Sequence, residues 1–361
     1  MKLLHVINDL NIGGAQKLVH DLLLIQNTDP DIQVSCFVFR QTGSELERNL
    51  ISNGIQIISA NSSPWKAKAL RKLRHSMKSN DIVHAHLFPS NYITSLMKVN
   101  TNVKLVFTEH STHNRRRDHK LLRPTEQFIY RGFDKIACIS PATADNLSAW
   151  IGPHIAKCRI EIIENGIEMT RFTNAPYSDP KALFGRSGTP IIMISRFTAS
   201  KDHPTLIRAL KHIEDPNVFV VFIGDGERRN EIEDLVRNYD LQERVVFLGT
   251  RYDIPKLIKS STIGIQSSNW EGFGLTAVEI MAGGIPIIAS EVKGLKEVVE
   301  DAGLLFPSGD DSILAECIKS ILSDKEVYQQ LTLKGMKKAE KYSIKATAAK
   351  YKKLYLTLLK A

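Results

Sequence analysis

Short apolar runs alternate with amphipathic helical stretches along the whole chain, and this alternation predicts a parallel α/β architecture. A helix is predicted over Ala15–Leu24, where Leu18, Leu22 and the following Ile25 recur at helical spacing. The short apolar runs are predicted to be strands. In the first half of the chain these strands are Lys2–Ile7, Gln33–Phe39, Gln56–Ile58, Ile82–Ala85, Lys104–Thr108, Lys135–Ile139 and Ile160–Ile163.

A second series of strands and helices begins after Asn174–Pro180, a proline-bearing stretch of turn residues that is predicted to link two domains. A chain of 361 residues is long enough for two domains of about 150 to 180 residues each. The strands predicted in the second series are Pro190–Ser195, Val218–Ile223, Arg244–Leu248, Ile263–Gln266, Pro286–Ala289 and Gly303–Phe306.

The two series predict two Rossmann-like, doubly wound domains that face each other across a cleft. We place the first domain at residues 1–172 and the second at residues 173–344. The end of the chain is helical in pattern and could pack on either domain. A terminal helix at about residues 345–361 can pack back on the first one.

Composition places the chain among ordinary globular proteins, with 43% hydrophobic and 24% charged residues. The amino terminus reaches polar residues too early for a signal peptide, and no apolar run approaches the ~18 residues of a membrane span. We therefore expect a cytoplasmic protein. The four cysteines show no C-x-x-C spacing, so neither a disulfide framework nor a zinc site is indicated.

The positive charge is concentrated in the first half of the chain. Residues 1–165 hold 21 Lys and Arg against 14 Asp and Glu, a net charge of +7, and residues 166–361 hold the remaining 27 against 25, a net charge of +2. Most of the candidate binding motifs lie in the nearly neutral half, and the basic residues are not interleaved with aromatic residues on a strand. Both observations argue against a nucleic-acid-binding protein.

A basic amphipathic helix is predicted over Pro64–Lys78, with an apolar stripe that includes Leu73 and Met77. Such a helix can lie on an anionic membrane surface, or it can pack its stripe inward as an ordinary domain helix. A second basic stretch, 113–117 with Arg123, follows later in the same half. The cations of the first stretch are Lys66, Lys68, Arg71, Lys72, Arg74 and Lys78.

Candidate binding residues in the first half follow predicted strands. Gly13 and Gly14 lie between the first strand and the first helix, where glycine allows the backbone to approach a ligand closely or merely permits a tight turn. His110 follows Lys104–Thr108 and is a usable hydrogen-bond donor or base. His84 and His86 alternate on one strand and face the same side, but no third metal ligand is evident in the sequence.

In the second half of the chain, the residues that follow the strands are of types that bind phosphate. Arg196 and Lys201 come after the first strand of the series, and two cations this close can hold a diphosphate. Gly224–Gly226 follows the second strand. The stretch Glu271–Glu279 follows Ile263–Gln266, and its glycine loop opens a predicted helix whose N-terminus attracts anions.

The two glutamates of Glu271–Glu279, separated by seven residues, resemble the motif of the retaining glycosyltransferases of the GT-B fold, in the large family numbered four. The glycine pair at Gly13–Gly14, His110 and the stretch Glu164–Glu168 are similar to other motifs of that family. So are Ser195–Lys201 and Gly224–Gly226. The resemblance extends over nearly the whole chain.

The resemblance implies a role for each matching residue. Arg196 and Lys201, with the backbone N–H groups of Gly274 and Leu275, would bind the diphosphate of a nucleotide-sugar, and a UDP-sugar is the first expectation. Glu279 would accept hydrogen bonds from the ribose. Glu271 and the following backbone, Gly272 and Phe273, would hold the donor sugar. His110 would reach that sugar from the other domain, and Gly14 would let the first loop approach the diphosphate.

The resemblance also implies transfer with retention of anomeric configuration to a glycan or glycolipid acceptor of the cell envelope. We expect no metal and no cofactor, because the cations can stabilise the departing diphosphate and no Asp-x-Asp pair follows a strand. Two alternatives stay open, namely a GT-B sugar-nucleotide epimerase and a catalytically silent homologue that serves as a partner subunit.

Overall fold

The computed structural model describes residues 1–11, 13–112 and 114–360, and within them the side chain of Arg115 is left undescribed. The described chain divides into two compact units. The N-terminal unit comprises Met1–Gly166 together with Ile344–Ala361, and the C-terminal unit comprises Ile167–Ser343. The first boundary falls earlier than the predicted residue 172, because a short helix at Met169–Thr173 packs on helices of the C-terminal unit.

In the described N-terminal unit, seven parallel strands form one sheet in the order β3-β2-β1-β4-β5-β6-β7. Their near-continuous apolar sequences suit a parallel sheet covered on both faces. The strands are β1 (Lys2–Ile7), β2 (Gln33–Val38), β3 (Gln56–Ser59), β4 (Ile82–His86), β5 (Lys104–Glu109), β6 (Lys135–Cys138) and β7 (Ile160–Ile162).

Helices cover both faces of this sheet. Leu4 and Val6 point into one hydrophobic cluster and Leu3 and Ile7 into the other, as the two-residue period of a strand requires. The helices between the strands are α1 (Gly14–Asn27), α2 (Glu45–Ser52), α3 (Ala67–Lys78), α4 (Ser90–Met97), α5 (Arg123–Arg131), α6 (Pro141–Ile151) and α7 (Pro153–Arg159), with two 3-10 turns at Arg115–Asp118 and Lys120–Leu122.

In the described C-terminal unit, six parallel strands follow the same winding, in the order β10-β9-β8-β11-β12-β13. The predicted pair of doubly wound, Rossmann-like sheets is therefore confirmed. The elements are α8 (Met169–Thr173), α9 (Pro180–Phe184), β8 (Thr189–Ile194), α10 (His203–Lys211), β9 (Val218–Ile223), α11 (Arg229–Asn238), a 3-10 turn (Gln242–Arg244), β10 (Val245–Phe247), α12 (Ile254–Lys259), β11 (Ile263–Gln266), α13 (Leu275–Ala282), β12 (Ile287–Ser290), α14 (Lys296–Val299), β13 (Leu304–Phe306), α15 (Asp311–Ser323) and α16 (Lys325–Glu340).

The last helix, α17 (Ile344–Lys360), belongs to the N-terminal unit. Its buried face carries Tyr351, Tyr355 and Leu358 at helical spacing, and these side chains join the same cluster as the apolar residues of α1. Lys352 forms ion pairs with Asp29 and Asp31, which follow the last residue of α1. Among the described residues, no helix combines the length and the apolar character that crossing a membrane requires.

Candidate functional site

The order of the strands decides which loops meet in the C-terminal unit. The winding reverses between β8 and β11, so the loops after these two strands flank the point where open α/β sheets bind ligands. The two loops are joined by backbone hydrogen bonds, from Asp202 N to Ser267 O at 3.2 Å and from Asn269 N to Ser200 O at 2.9 Å. The tertiary structure thereby brings together two motifs about seventy residues apart in the sequence.

Lys201 and Glu271 meet at this junction in a direct ion pair. Lys201 Nζ also lies 3.4 Å from Ser268 Oγ, and Glu271 Oε1 accepts a 3.0 Å hydrogen bond from Gly272 N. Burial raises the pKa of Glu271, but the neighbouring Lys201 ammonium outweighs burial and lowers the pKa below its usual value. The carboxylate is therefore ionised near neutral pH, and the cation and the anion partly neutralise each other.

The loop between Glu271 and α13 depends on glycine. Gly274 has φ +83° in the left-handed region and caps α13, and a Cβ at this position would lie 2.7 Å from Leu295 Cδ1. Gly294, which the sequence analysis did not single out, packs against the backbone of this loop and has φ +86°. A Cβ there would lie 2.6 Å from the carbonyl oxygen of Glu271. These glycines let the chain turn into α13 close to Glu271, since a Cβ at Gly274, the N-cap of this helix, would lie 3.9 Å from Glu271 Cγ.

The second glycine turn has a structural role. A Cβ on Gly224 would lie 2.0 Å from the carbonyl oxygen of Ser195, and a Cβ on Gly226 would lie 2.4 Å from that of Phe197. Phe197 N also donates to Asp225 O at 3.1 Å. Gly224–Gly226 therefore supports the loop that carries Arg196. The Arg196 side chain is exposed and has no ion-pair or hydrogen-bond partner among the described residues.

The remaining predicted donor residues lie on or beside α13. Phe273 is 3% exposed and its ring packs edge-on against Tyr342, with centroids 5.3 Å apart. Leu275 begins the helix, and Glu279 lies one turn later at a half-buried position. Phe273 therefore stabilises the loop through its side chain, whereas Glu279 is partly accessible.

In the N-terminal unit, Gly14 is exposed and begins α1. Ile12, in the loop before it, lies outside the described residues. His110 follows β5 and is half-buried, and it lines a pocket of about 310 Å³ together with Asn91, Glu109 and Arg116. A larger pocket of about 600 Å³ lies at the same edge of the sheet, lined by Asn8, Asp9, Phe39, Arg40, Asn61, Ser62, Ser63, Pro64 and Pro89.

A group of buried histidines lies behind His110. Pairing of β1 with β4 sets His5 directly opposite His84, and potential ligand atoms of His5, His84 and His86 lie within 4.8 Å of one another. His5 completes this group of three. Sequence reasoning missed it, because it is a lone polar residue inside an apolar strand. All six ring nitrogens of these three residues already have hydrogen-bond partners. The cluster is therefore a hydrogen-bonded network in this structure.

This network is neutral. Burial lowers the pKa of His5 and of His110 to about 4, and it lowers that of His84 and His86 well below the usual value. His84 bonds to Tyr355 OH at 2.6 Å and to Thr108 Oγ1 at 2.7 Å. Uncharged imidazoles thus lie behind the pocket, and His110, which lines it, can form hydrogen bonds there without contributing a charge.

The structure assigns the apolar stripe of the basic helix α3 to the core. Leu73 and Met77 are fully buried in the cluster on one face of the sheet, whereas Trp65, before the helix, is 53% exposed. Arg74 is half-buried and donates to Val99 O at 3.0 Å. Five of the predicted cations are exposed: Lys66, Lys68, Arg71, Lys72 and Lys78.

The second basic stretch largely pairs its charges internally. His113 lies outside the described residues. Arg116 contacts the buried carboxylate of Glu126 at 3.1 Å, and Arg117 forms a buried ion pair with Glu109. Arg123 donates to the carbonyl oxygen of Trp150 at 2.8 Å. These arginines stabilise the segment between β5 and α6.

Two family models cover most of the chain. Residues 12–171 match the model described as Glycosyltransferase Family 4, and residues 180–338 match that described as Glycosyl transferases group 1. An uncharacterized glycosyltransferase of Methanocaldococcus jannaschii is 28% identical over 262 residues, 68% of this chain and 66% of that protein. The chain thus aligns with just under two thirds of this relative's length.

Two further relatives cover more of the chain. The UDP-Gal:alpha-D-GlcNAc-diphosphoundecaprenol alpha-1,3-galactosyltransferase of Escherichia coli is 25% identical over 351 residues, 90% of this chain and 89% of that protein. The crystal structure of HepE from Anabaena, in complex with UDP and glucose, has a TM-score of 0.86 and 20% identity, and covers 99% of this chain and 100% of its own. The shared fold and the two matching models show that this chain belongs to the glycosyltransferases of the GT-B fold.

Proposed function

We propose that this protein transfers a sugar from a UDP-sugar to a glycan or glycolipid acceptor of the cell envelope, with retention of anomeric configuration. The observation that carries the proposal is the Lys201–Glu271 ion pair, which lies next to the N-terminus of α13 at the switch point of the C-terminal sheet. A cation, an anion and helix N–H groups in one place suit a ligand that has both phosphate and hydroxyl groups.

In this proposal Arg196, Lys201 and the N–H groups of Gly274 and Leu275 bind the diphosphate. The exposed Arg196 can reach a ligand without breaking an ion pair among the described residues. Lys201 cannot, because its ammonium contacts Glu271, so a diphosphate would compete with that carboxylate for the cation.

The other donor contacts follow from their positions. Glu271 and the backbone of Gly272 and Phe273 are proposed to bind hydroxyls of the donor sugar. Glu279, one turn into α13, is proposed to accept hydrogen bonds from the ribose. Both carboxylates suit hydroxyl ligands because an ionised carboxylate accepts hydrogen bonds only. Gly14, which is exposed at the start of α1, is proposed to let its loop approach the substrate.

The proposed chemistry follows from where charge develops. As the bond between the anomeric carbon and the diphosphate breaks, negative charge builds on the leaving phosphate, and the cations and helix N–H groups that bind the diphosphate stabilise it. No metal is required for this step in the proposal. For retention, we propose that the leaving phosphate accepts the proton of the acceptor hydroxyl on the same face of the sugar. Trapping a covalent glycosyl-enzyme would contradict this route.

The named substrates of two similar proteins support the choice of donor and acceptor. HepE was crystallised with UDP and with UDP-glucose, and the Escherichia coli relative is named for UDP-Gal and a diphosphoundecaprenol acceptor. We propose that the acceptor binds at the pockets of the N-terminal unit and that His110 contacts a substrate hydroxyl there.

We propose that this protein is cytoplasmic and binds the inner surface of the membrane, where a lipid-linked acceptor would be accessible. The exposed cations Lys66, Lys68, Arg71, Lys72 and Lys78 can attract anionic lipids, and the buried stripe of α3 leaves electrostatics as the proposed means of binding. Sedimentation with vesicles of anionic and of neutral lipid tests this proposal. Equal binding to both, or no loss of binding after neutralising the five cations, would contradict it.

Calorimetric binding of UDP, GDP and ADP, each with and without an attached sugar, tests the donor assignment. We expect selective binding of the uridine nucleotides by the wild type and weaker binding by Glu279→Ala. Failure of all three nucleotides to bind below the millimolar range would contradict the donor site. Product analysis with an acceptor then separates transfer from epimerisation, because transfer alone consumes an acceptor.

A further inference from the structure

A line of hydrogen bonds leads from the interior of the N-terminal unit to His110. Gln26 Oε1 lies 2.8 Å from His5 Nε2, His5 Nδ1 lies 2.9 Å from His86 Nε2, and His86 Nδ1 lies 3.2 Å from His110 Nε2. Gln26, His5 and His86 are at most 2% exposed, whereas His110 is half-buried and lines the smaller pocket. One end of the line is thus fixed in the core and the other end reaches a place where a ligand can bind.

Counting protons along this line determines the tautomer of each ring. A neutral imidazole has one N–H and one lone pair. In the amide orientation of this structure the oxygen of Gln26 faces His5 and can only accept, so His5 donates through Nε2 and accepts at Nδ1. His86 then donates through Nε2 and accepts at Nδ1, and His110 donates through Nε2. The lowered pKa of all three rings keeps them neutral, as this arrangement requires.

We propose that Gln26, His5 and His86 are positioning residues that hold His110 as its Nε2–H tautomer, so that Nδ1 presents a lone pair to a substrate hydroxyl. Nδ1 of His110 has no hydrogen-bond partner within residues 1–11, 13–112 and 114–360. The role of His110 toward substrate rests on the proposed function, whereas its tautomer is a property of the protein alone. His110 is therefore an acceptor of a hydrogen bond from the substrate.

The orientation of one buried amide controls the whole line. If the Gln26 side chain were reversed, its Nε2 would donate to His5, and each of the three inter-residue bonds would reverse in turn. His110 would then carry its proton on Nδ1 and donate to the substrate. His84 forms no hydrogen bond to a ring of this line, because its two nitrogens bond to Tyr355 and Thr108, and Thr108 is the partner that lies away from Gln26. We call His84 with its partners Tyr355 and Thr108 the second branch, and a substitution at Thr108 provides a matched control.

The tautomer can be measured by two-bond ¹⁵N–¹H correlation NMR on the full chain labelled with ¹⁵N-histidine, with the His110 signals assigned by their loss in His110→Gln. We expect a protonated Nε2 and an unprotonated Nδ1 in the wild type. In Gln26→Leu the acceptor at the buried end is lost, and we expect the Nδ1–H form of His110 to increase. Gln26→Glu restores an acceptor and should restore the Nε2–H form.

Thr108→Val is the control, because it removes a hydroxyl of the second branch and should leave the tautomer of His110 unchanged. If Gln26→Leu does not fold, Gln26→Met makes the same test with a flexible side chain. The proposal is overturned if wild-type His110 carries its proton on Nδ1, or if its tautomer is the same in the folded Gln26 variant. Because NMR needs no substrate, these results do not depend on whether the protein transfers sugar.

Discussion

The two sheets share one winding order but present different chemistry at the carboxyl ends of their strands. In the C-terminal unit these ends carry a half-buried ion pair, an exposed arginine and glycine loops beside a helix N-terminus. In the N-terminal unit His86 and His110 lie at these ends and His5 and His84 lie within the strands behind them, and burial lowers the pKa of all four. The first edge is suited to an anionic ligand, whereas the histidines of the second offer neutral groups that form hydrogen bonds. The same winding order therefore presents different side chains at the two edges, because the residues that follow its strands differ.

The largest expected effect is at Arg196. Replacing it with alanine should lower kcat for sugar transfer by about 10²–10³-fold, because one cation that stabilises the departing diphosphate is lost. Stability should be unchanged, since the side chain is exposed. Steady-state kinetics and thermal unfolding check both expectations.

Arg237→Ala is the matched control for Arg196→Ala, because Arg237 is exposed on α11 and paired only with the neighbouring Asp234 among the described residues. Its kcat should stay close to that of the wild type. A similar loss of kcat in the two variants would mean that Arg196 has no particular role, and the proposed charge difference between the two edges would fail.

Glycine substitution tests whether the loop before α13 depends on close approach. Gly294→Ala should destabilise the protein by about 1–3 kcal/mol more than Gly309→Ala, because only the Cβ at Gly294 meets backbone atoms. Both positions have a positive φ, so the backbone cost is similar in the two variants. Urea unfolding measures the difference. UDP affinity should fall in Gly294→Ala only, and equal stability of the two variants would contradict the proposed loop support.

Lowering the pH should reduce the stability of the N-terminal unit more than that of the C-terminal unit. The unfolded chain gains protons on its histidines below about pH 6.5, whereas His5 and His110 in the folded N-terminal unit stay neutral down to about pH 4. The free energy of unfolding should therefore fall as the pH decreases from about 6.5 to 4. His203 in the C-terminal unit, whose pKa is also about 4, contributes in the same direction. Hydrogen exchange measured across this pH range should show earlier loss of protection in the N-terminal unit.

His203→Gln sharpens this comparison, because it removes that contribution from the C-terminal unit. The variant should keep the pH response of the N-terminal unit and lose part of the response of its own unit. Equal loss of protection in both units of the wild type would contradict the idea that the histidine network distinguishes them.

The smallest expected effect is that of chelation. Because the proposed transfer relies on side chains and helix N–H groups, EDTA should leave the initial rate unchanged. Addition of Mg²⁺ or Mn²⁺ should likewise change it little. A loss of rate in EDTA that Mg²⁺ or Mn²⁺ restores would show that a metal ion takes part, and would shift the proposed mechanism away from Arg196 and Lys201.

Much of the fold could be predicted from the sequence. The predicted strands agree with the observed ones to within a few residues, because strands buried on both faces are apolar runs bounded by polar turns. The motifs after β8 and β11 were also evident, since cations and glycines stand out after an apolar strand. Roles for these residues toward a nucleotide-sugar stay predictions.

Other features could not be predicted because they depend on strand pairing. His5 looks like an isolated core residue until β1 pairs with β4 and sets it opposite His84. Gly294 gains its importance only because the chain returns beneath the loop that begins at Glu271. The pairing of Lys201 with Glu271 likewise requires β8 and β11 to be neighbours at the switch point.

By itself, the sequence determined the alternation of strands and helices and the residues that follow each strand, because hydrophobic periodicity is a local property. Tertiary structure decided which of these residues meet. It placed α17 on the N-terminal unit, directed the apolar stripe of α3 into the core, and linked His5, His86 and His110 by hydrogen bonds. The physical reason is that burial and hydrogen bonding between distant segments depend on the order of strands in the sheet, which no single stretch of sequence specifies.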